Sequence, residues 1–184
     1  MIGGYKRPGE KLRSVGYVKL AKLWERDRDK IVEALNNQYR RAFISSPTIK
    51  LDDVYIDITG APHIYARPQM IRLLRDAARG DIDVIVSQTQ AYLAPNALEF
   101  FYLMQFIMTL PQQVEIITDA DSSEFQINTI AENGMQRFAL FKMSRDVIDQ
   151  NTADYEAWKD KVMTAIRKLN EEERKREEPI IESE

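Results

Sequence analysis

The sequence predicts an α/β protein: a three-layer domain with a mainly parallel sheet of about four to five strands, followed by C-terminal helices. Three observations predict it. Short β-type runs alternate with helical stretches from residue 15 to residue 117. The run from Ile82 to Ser87 is rich in β-branched residues, as suits a strand covered on both faces. After Asp121 the strand signals stop, and two helical patterns close the chain.

Val15-Gly16-Tyr17-Val18-Lys19-Leu20 reads as the first strand. From Trp24 to Phe43 the pattern turns helical, with Ile31, Leu35 and Tyr39 on one face, and Ser45-Ser46-Pro47 breaks it. Asp53 to Ile58 is the second strand, followed by a loop through Gly60, Pro62 and Pro68. Met70 to Arg79 is a helix that Gly80 stops. The third strand is Ile82–Ser87. Pro95-Asn96 opens a helix that runs through Phe100, Leu103 and Met108, Pro111 ends it, and Val114–Ile117 is the fourth strand. Met135–Ile148 and Tyr155–Glu178 read as helices joined near Asn151. The expected organisation is a flexible leader over 1–13, one domain over 14–150 and a charged helical extension over 151–184.

Composition narrows the chemistry. The 184 residues contain no cysteine and a single histidine, His63. Disulfides, thiolate zinc sites and cysteine nucleophiles are excluded, and a Ser-His-Asp triad or a His-rich metal cluster is disfavoured. No signal-peptide or membrane-spanning pattern is present, so a soluble, cytoplasmic protein without cofactor, metal or membrane partner is expected. Net charge is only −3, but residues 1–30 hold nine Lys/Arg against four Asp/Glu, whereas residues 152–184 hold seven against ten. This distribution allows a phosphate contact at the N-terminal end and argues against one at the C-terminal end, with a pair of solvated faces as the commoner reading of such charge runs.

In a parallel sheet the reactive positions lie beyond the C-terminal ends of the strands. Those loops read Lys19-Leu20-Ala21-Lys22, Thr59–Pro68, Gln88–Asn96 and Asp119–Ser123. Taken with their flanks, they resemble the catalytic domain of the serine recombinases, the resolvase and invertase family. Gly16–Ala21 is similar to the family's opening Y-x-R-V-S strand. Tyr55–Gly60 followed by Arg67-Pro68 is similar to its D-x-x-x-S-G…R-P loop. Met70–Val86 is similar to L-x-x-L-L-x-D-A-x-x-G-x-I-D-V-V-V, and Leu93-Ala94-Pro95-Asn96 falls on its L-G-R-N/S segment.

The resemblance covers about residues 14–150 and implies a DNA phosphodiester as substrate, with a strand-end serine as nucleophile. This sequence departs from that pattern at the positions that matter. The serine falls on Ala21, the arginine before it on Lys19, the Asp-Arg pair on Ala91 and Tyr92, and the next arginine on Pro95. Only Arg67 stands unchanged, leaving Arg67, Lys19 and Lys22 as candidate phosphate contacts. Loss of one transition-state donor costs about 100- to 1000-fold in rate, and loss of the nucleophile abolishes covalent chemistry.

Ser14 sits at the wrong end of the sheet, while Ser87, Thr89, Ser122 and Ser123 sit at the right edge with no base identified beside them. His63 reads as a loop histidine, Tyr17 as core, and Asp119, Asp121 and Glu124 as too sparse a set for a metal. The family's basic or zinc-bearing DNA-recognition module has no counterpart in the Glu-rich stretch 159–184. The resulting expectation is a pseudo-enzyme of recombination or mobile elements. It would act as a structural or regulatory subunit, forming a homo-oligomer or pairing with another recombinase through the helices after Met135, with weak DNA contact. The alternatives are a strand-cleaving enzyme with a displaced nucleophile and a small-ligand or protein-interaction module unrelated to DNA.

Overall fold

Alternation along Val15-Gly16-Tyr17-Val18 sends successive side chains to opposite faces of a strand, and each face meets its own helix layer. The computed structural model of the chain describes residues 9–118 and 134–177. Four strands, β1 (Leu12–Leu20), β2 (Ile49–Ile58), β3 (Val84–Ser87) and β4 (Glu115–Thr118), form one parallel sheet in the order β2-β1-β3-β4. This is the α/β sheet expected from the alternating pattern.

Helix α1 (Arg28–Phe43) connects β1 to β2 and packs Tyr39 and Phe43 against Val18, Val54, Ile56, Val84 and Val86. The next connections run the opposite way across the sheet, so a right-handed crossover puts their helices on the other face. There α2 (Pro68–Ala78) and α4 (Ala97–Met108) cover Val15, Tyr17, Tyr55 and Ile85. A short helix, α3 (Gln90–Leu93), precedes α4, and α5 (Gly134–Gln150) packs beside it. The connections diverge between β1 and β3, which makes that edge the topological switch point.

The structure corrects the expected boundaries in several places. The leader does not extend to residue 13. Arg13 is in β1, where its backbone and side chain bind Asp83 and its Nη2 donates to the Gly80 carbonyl at 2.6 Å. The helix expected from Trp24 begins as a 3₁₀ turn, Lys22–Asp27, that buries none of its residues. The 151–184 extension is not separate from the domain core. Its helix, α6 (Thr152–Glu177), lays Tyr155, Trp158, Val162 and Ile166 into the same cluster as Leu74 and Phe106. Those four residues form one stripe of an otherwise charged helix. Farther along, the Arg75 guanidinium pairs with Glu173 and holds its carboxyl below the usual range, and Arg79 donates to Asn170.

Two glycines have a geometric requirement. Gly80 follows α2 with φ +84°, the left-handed stop expected there. Gly16 is crowded instead: a Cβ would stand 2.6 Å from Cδ1 of the buried Tyr39 ring. This glycine is what lets α1 approach β1. Gly16→Ala should therefore destabilise the protein by about 1–3 kcal/mol in urea denaturation. Combining it with Tyr39→Leu should cost clearly less than the sum of the two single changes, because the second change vacates the space the first one needs.

Candidate functional site at the sheet's C-terminal edge

At the switch point two buried side chains of opposite charge organise the loops. Asp57, near the end of β2, is 3% exposed. Its Oδ1 accepts the Gln69 N–H and its Oδ2 the Met70 N–H, both at 2.9 Å, and Oδ2 also accepts the Tyr17 hydroxyl at 2.9 Å. A carboxylate at the N-terminus of α2 satisfies two amides that have no partner within the helix and lies at the positive end of its dipole. Pro68 at the first turn has no N–H to satisfy.

Arg67 is 1% exposed. Its Nη1 donates to the carbonyls of Tyr92 and Leu93 at 2.8 and 3.2 Å, and its Nη2 donates to that of Pro62 at 2.6 Å. Nε is buried without a hydrogen-bond partner. The planar fork thus fastens the loop after β2 to the helix after β3, from beneath both. The position that the resemblance assigns to a phosphate is occupied here by a guanidinium directed at backbone carbonyls. Tyr17 lies in the field of both charges. Burial drives its phenol well above the ordinary value, Asp57 pushes the same way and Arg67 opposes.

The remaining predicted positions lie at the end of β1 and along and just after α3. Lys19 is half-buried at the end of β1, paired in register with Asp57. Ala21 and Lys22 are exposed just beyond it, and the Ala21 carbonyl accepts the Trp24 N–H at 3.1 Å. Ala91 is exposed, Tyr92 is half-buried against the α1-side cluster, and Pro95 is exposed. Of the hydroxyls at this edge, Ser87 is fully buried and donates to the Tyr17 carbonyl at 2.8 Å. Thr89 caps α3 by accepting the Ala91 N–H at 2.8 Å. Ser14 is at the opposite end, donating to the Lys50 carbonyl at 2.7 Å. None of these hydroxyls is hydrogen-bonded to a carboxylate or imidazole that could take its proton. Asp119, Asp121, Ser122, Ser123 and Glu124 lie outside the described residues. Among the described residues no group of three His, Asp or Glu stands where it could hold a metal, and no helix is long and apolar enough to cross a membrane.

One cluster was not legible in the sequence. Glu99 near the start of α4 is 5% exposed. Its Oε1 accepts Ile64 N–H at 2.8 Å and Trp158 Nε1–H at 3.1 Å, and its Oε2 is 3.1 Å from His63 Nδ1. The His63 ring stacks on Tyr65 with centroids 5.0 Å apart. His63 therefore belongs to an ordered joint between the β2 loop, α4 and α6. The signal that could have found it is Trp158, since a buried indole N–H needs an acceptor.

Two outcomes follow from this geometry. Arg67→Lys, which cannot span three carbonyls with one ammonium, should lower the unfolding free energy by about 2–4 kcal/mol while leaving the salt dependence of any DNA binding unchanged. Tyr17, Tyr39, Tyr55 and Tyr155 are all raised, chiefly by burial, Tyr155 to about 12. Unfolded phenols ionise near 10, so this stabilisation is complete below pH 10 and is lost as pH rises through the folded values. The urea midpoint should stay level to about pH 9.5 and fall steadily above pH 10, and Tyr155→Phe should make that fall shallower.

No family model and no curated protein matches the chain. Among solved structures it is similar to the N-terminal catalytic domain of TP901-1 integrase, at TM-score 0.47 and 16% identity over 79% of this chain and 98% of that one. It is also similar to the C-terminal catalytic domain of ISC1926 TnpA, an IS607-like serine recombinase, at TM-score 0.45 and 18% identity over 77% and 99%. A third similar structure is the first ORF in transposon ISC1904 from Sulfolobus solfataricus P2, at TM-score 0.41 and 16% identity over 83% and 97%.

Proposed function

We propose that this chain is a serine-recombinase-like domain of a recombination or mobile-element system that does not cut DNA, and that it serves as a structural or regulatory subunit. The observation that carries this reading is Ala21, exposed just past the end of β1 where the resemblance requires a nucleophilic hydroxyl. Among the described residues the two candidate hydroxyls at this edge are otherwise engaged, since Ser87 is buried and Thr89 caps a helix. Arg67 is committed to holding loops together, so the phosphate contact reduces to Lys19 and Lys22. Two cations per protomer make a weak, strongly salt-dependent DNA contact. Association is assigned to the outer faces of α5 and α6, where Met143 and Met163 are 55% and 38% exposed.

The test is incubation with duplex DNA followed by denaturing electrophoresis, alongside light scattering and duplex titration across salt concentrations. We expect no covalent adduct. Ala21→Ser should give none either, because Lys19, Ala91, Tyr92 and Pro95 leave the transition-state charge without its arginines. Duplex affinity should fall with salt at a log–log slope of about −2 for a two-lysine contact, and Lys19→Ala with Lys22→Ala should remove it. An adduct from the unmodified chain would overturn the reading in favour of a displaced nucleophile. Indifference to DNA at low salt would leave a protein-interaction role.

A further inference from the structure

The 3₁₀ turn Lys22–Asp27 is the least explained part of the fold. A turn that buries none of its residues has no packing reason to carry large apolar side chains, yet Leu23 is 68% and Trp24 45% exposed. It sits at the C-terminal end of β1, on the edge where open parallel sheets bind ligands. Its charges are sorted as well. Glu25 is bound by both Nε and Nη2 of Arg28 at 2.7 and 2.6 Å, which lowers its carboxyl and holds its charge locally. Lys19, Lys22 and Arg26 form no ion pair among the described residues, and Asp27 is the one other acid of the turn.

We propose that this turn is a binding platform for single-stranded nucleic acid, with an unpaired base stacked on the Trp24 indole and the adjoining phosphates on Lys19, Lys22 and Arg26. It rests on the DNA contact proposed above and specifies the form of nucleic acid. An exposed indole gives up its apolar face to a free base, whereas the bases of a duplex are stacked on one another; stacking contributes about 1–3 kcal/mol per base. Three cations within five residues of Trp24 in the chain favour a polyanion over a protein partner, whose interface cores are depleted in lysine.

The chain has two tryptophans, and the second, Trp158, is 5% exposed, so an emission change on nucleic-acid binding reports Trp24. The experiment titrates the full chain at low salt with an oligothymidylate of about twelve nucleotides and, separately, with blunt duplex DNA. We expect the oligothymidylate to quench emission and the duplex to leave it unchanged. Trp24→Ala should weaken oligothymidylate binding by about 5- to 150-fold, the equivalent of one lost stack, and Trp24→Phe, which keeps an aromatic face, should restore most of it at an equal urea midpoint. Oligothymidylate binding without quenching, or with full affinity in Trp24→Ala, would overturn the platform while leaving the backbone contact standing. Duplex binding alone would do the same. Binding of neither probe would overturn both. An emission change that tracks protein concentration without DNA would overturn the platform and assign the patch to a second copy of the chain.

Discussion

The C-terminal edge of the sheet depends on a pair of buried opposite charges that act through backbone. Asp57 holds the start of α2 and Arg67 holds the loop after β2 against α3, and Tyr17 between them donates to the carboxylate. Moving either ion out of water is costly, and the cost is offset by three hydrogen bonds to each group, with Arg67 Nε left unpaired. The consequence is a preorganised edge. The loops that would carry chemistry are fixed from below by groups that solvent never reaches, while the groups above them, Ala21, Ala91 and Pro95, carry nothing that could react. The residues that fix this edge from below and the residues exposed above it are different ones, so the two can vary independently.

Much of the fold was legible because it follows from period and punctuation. The strands at 15–20, 53–58, 82–87 and 114–117 and the helices between them were found from β-branched runs, i, i+4 spacing and the Gly80 stop. What was missed has physical causes. β1 opens on half-buried Leu12 and Arg13, and β2 carries exposed Lys50 and Asp52 just after Ile49; a strand pairing through its backbone need not be apolar there. Helix α3 is four residues long, too short for any periodicity.

The candidate site was legible in part. Lys19, Ala21, Ala91, Tyr92 and Pro95 lie at or shortly after strand ends, but the part played by Arg67 was not readable, since three carbonyls from two separate segments leave no trace in the sequence. Likewise Glu99 looks like an ordinary first-turn acid of α4 until Trp158 and Ile64 are brought to it. Helix α4 itself posed the opposite problem. Phe100, Tyr102, Leu103, Met104, Phe106 and Ile107 leave it apolar nearly all round, which reads either as core or as partner surface. The structure resolves this through α6, whose Tyr155 and Trp158 pack against Tyr102 and Phe106 with ring centroids 5.6 to 6.2 Å apart.

That packing bears on association. With Tyr155, Trp158, Val162 and Ile166 turned inward, the helix best suited to an interface has spent its apolar stripe within its own chain. A specific protein interface buries about 1,200–2,000 Å² with an apolar centre, and the outward Met143 and Met163 are two scattered side chains on charged helices. Rigid pairing of two chains through the outer faces of α5 and α6 would be weak. Detaching α6 from α4 would take the Trp158 donor from the buried Glu99 carboxylate and expose the aromatic cluster, so this joint holds α6 in place. The joint between His63, Glu99 and Trp158 therefore ties α6 to the domain through residues separate from the Asp57 and Arg67 pair at the sheet edge.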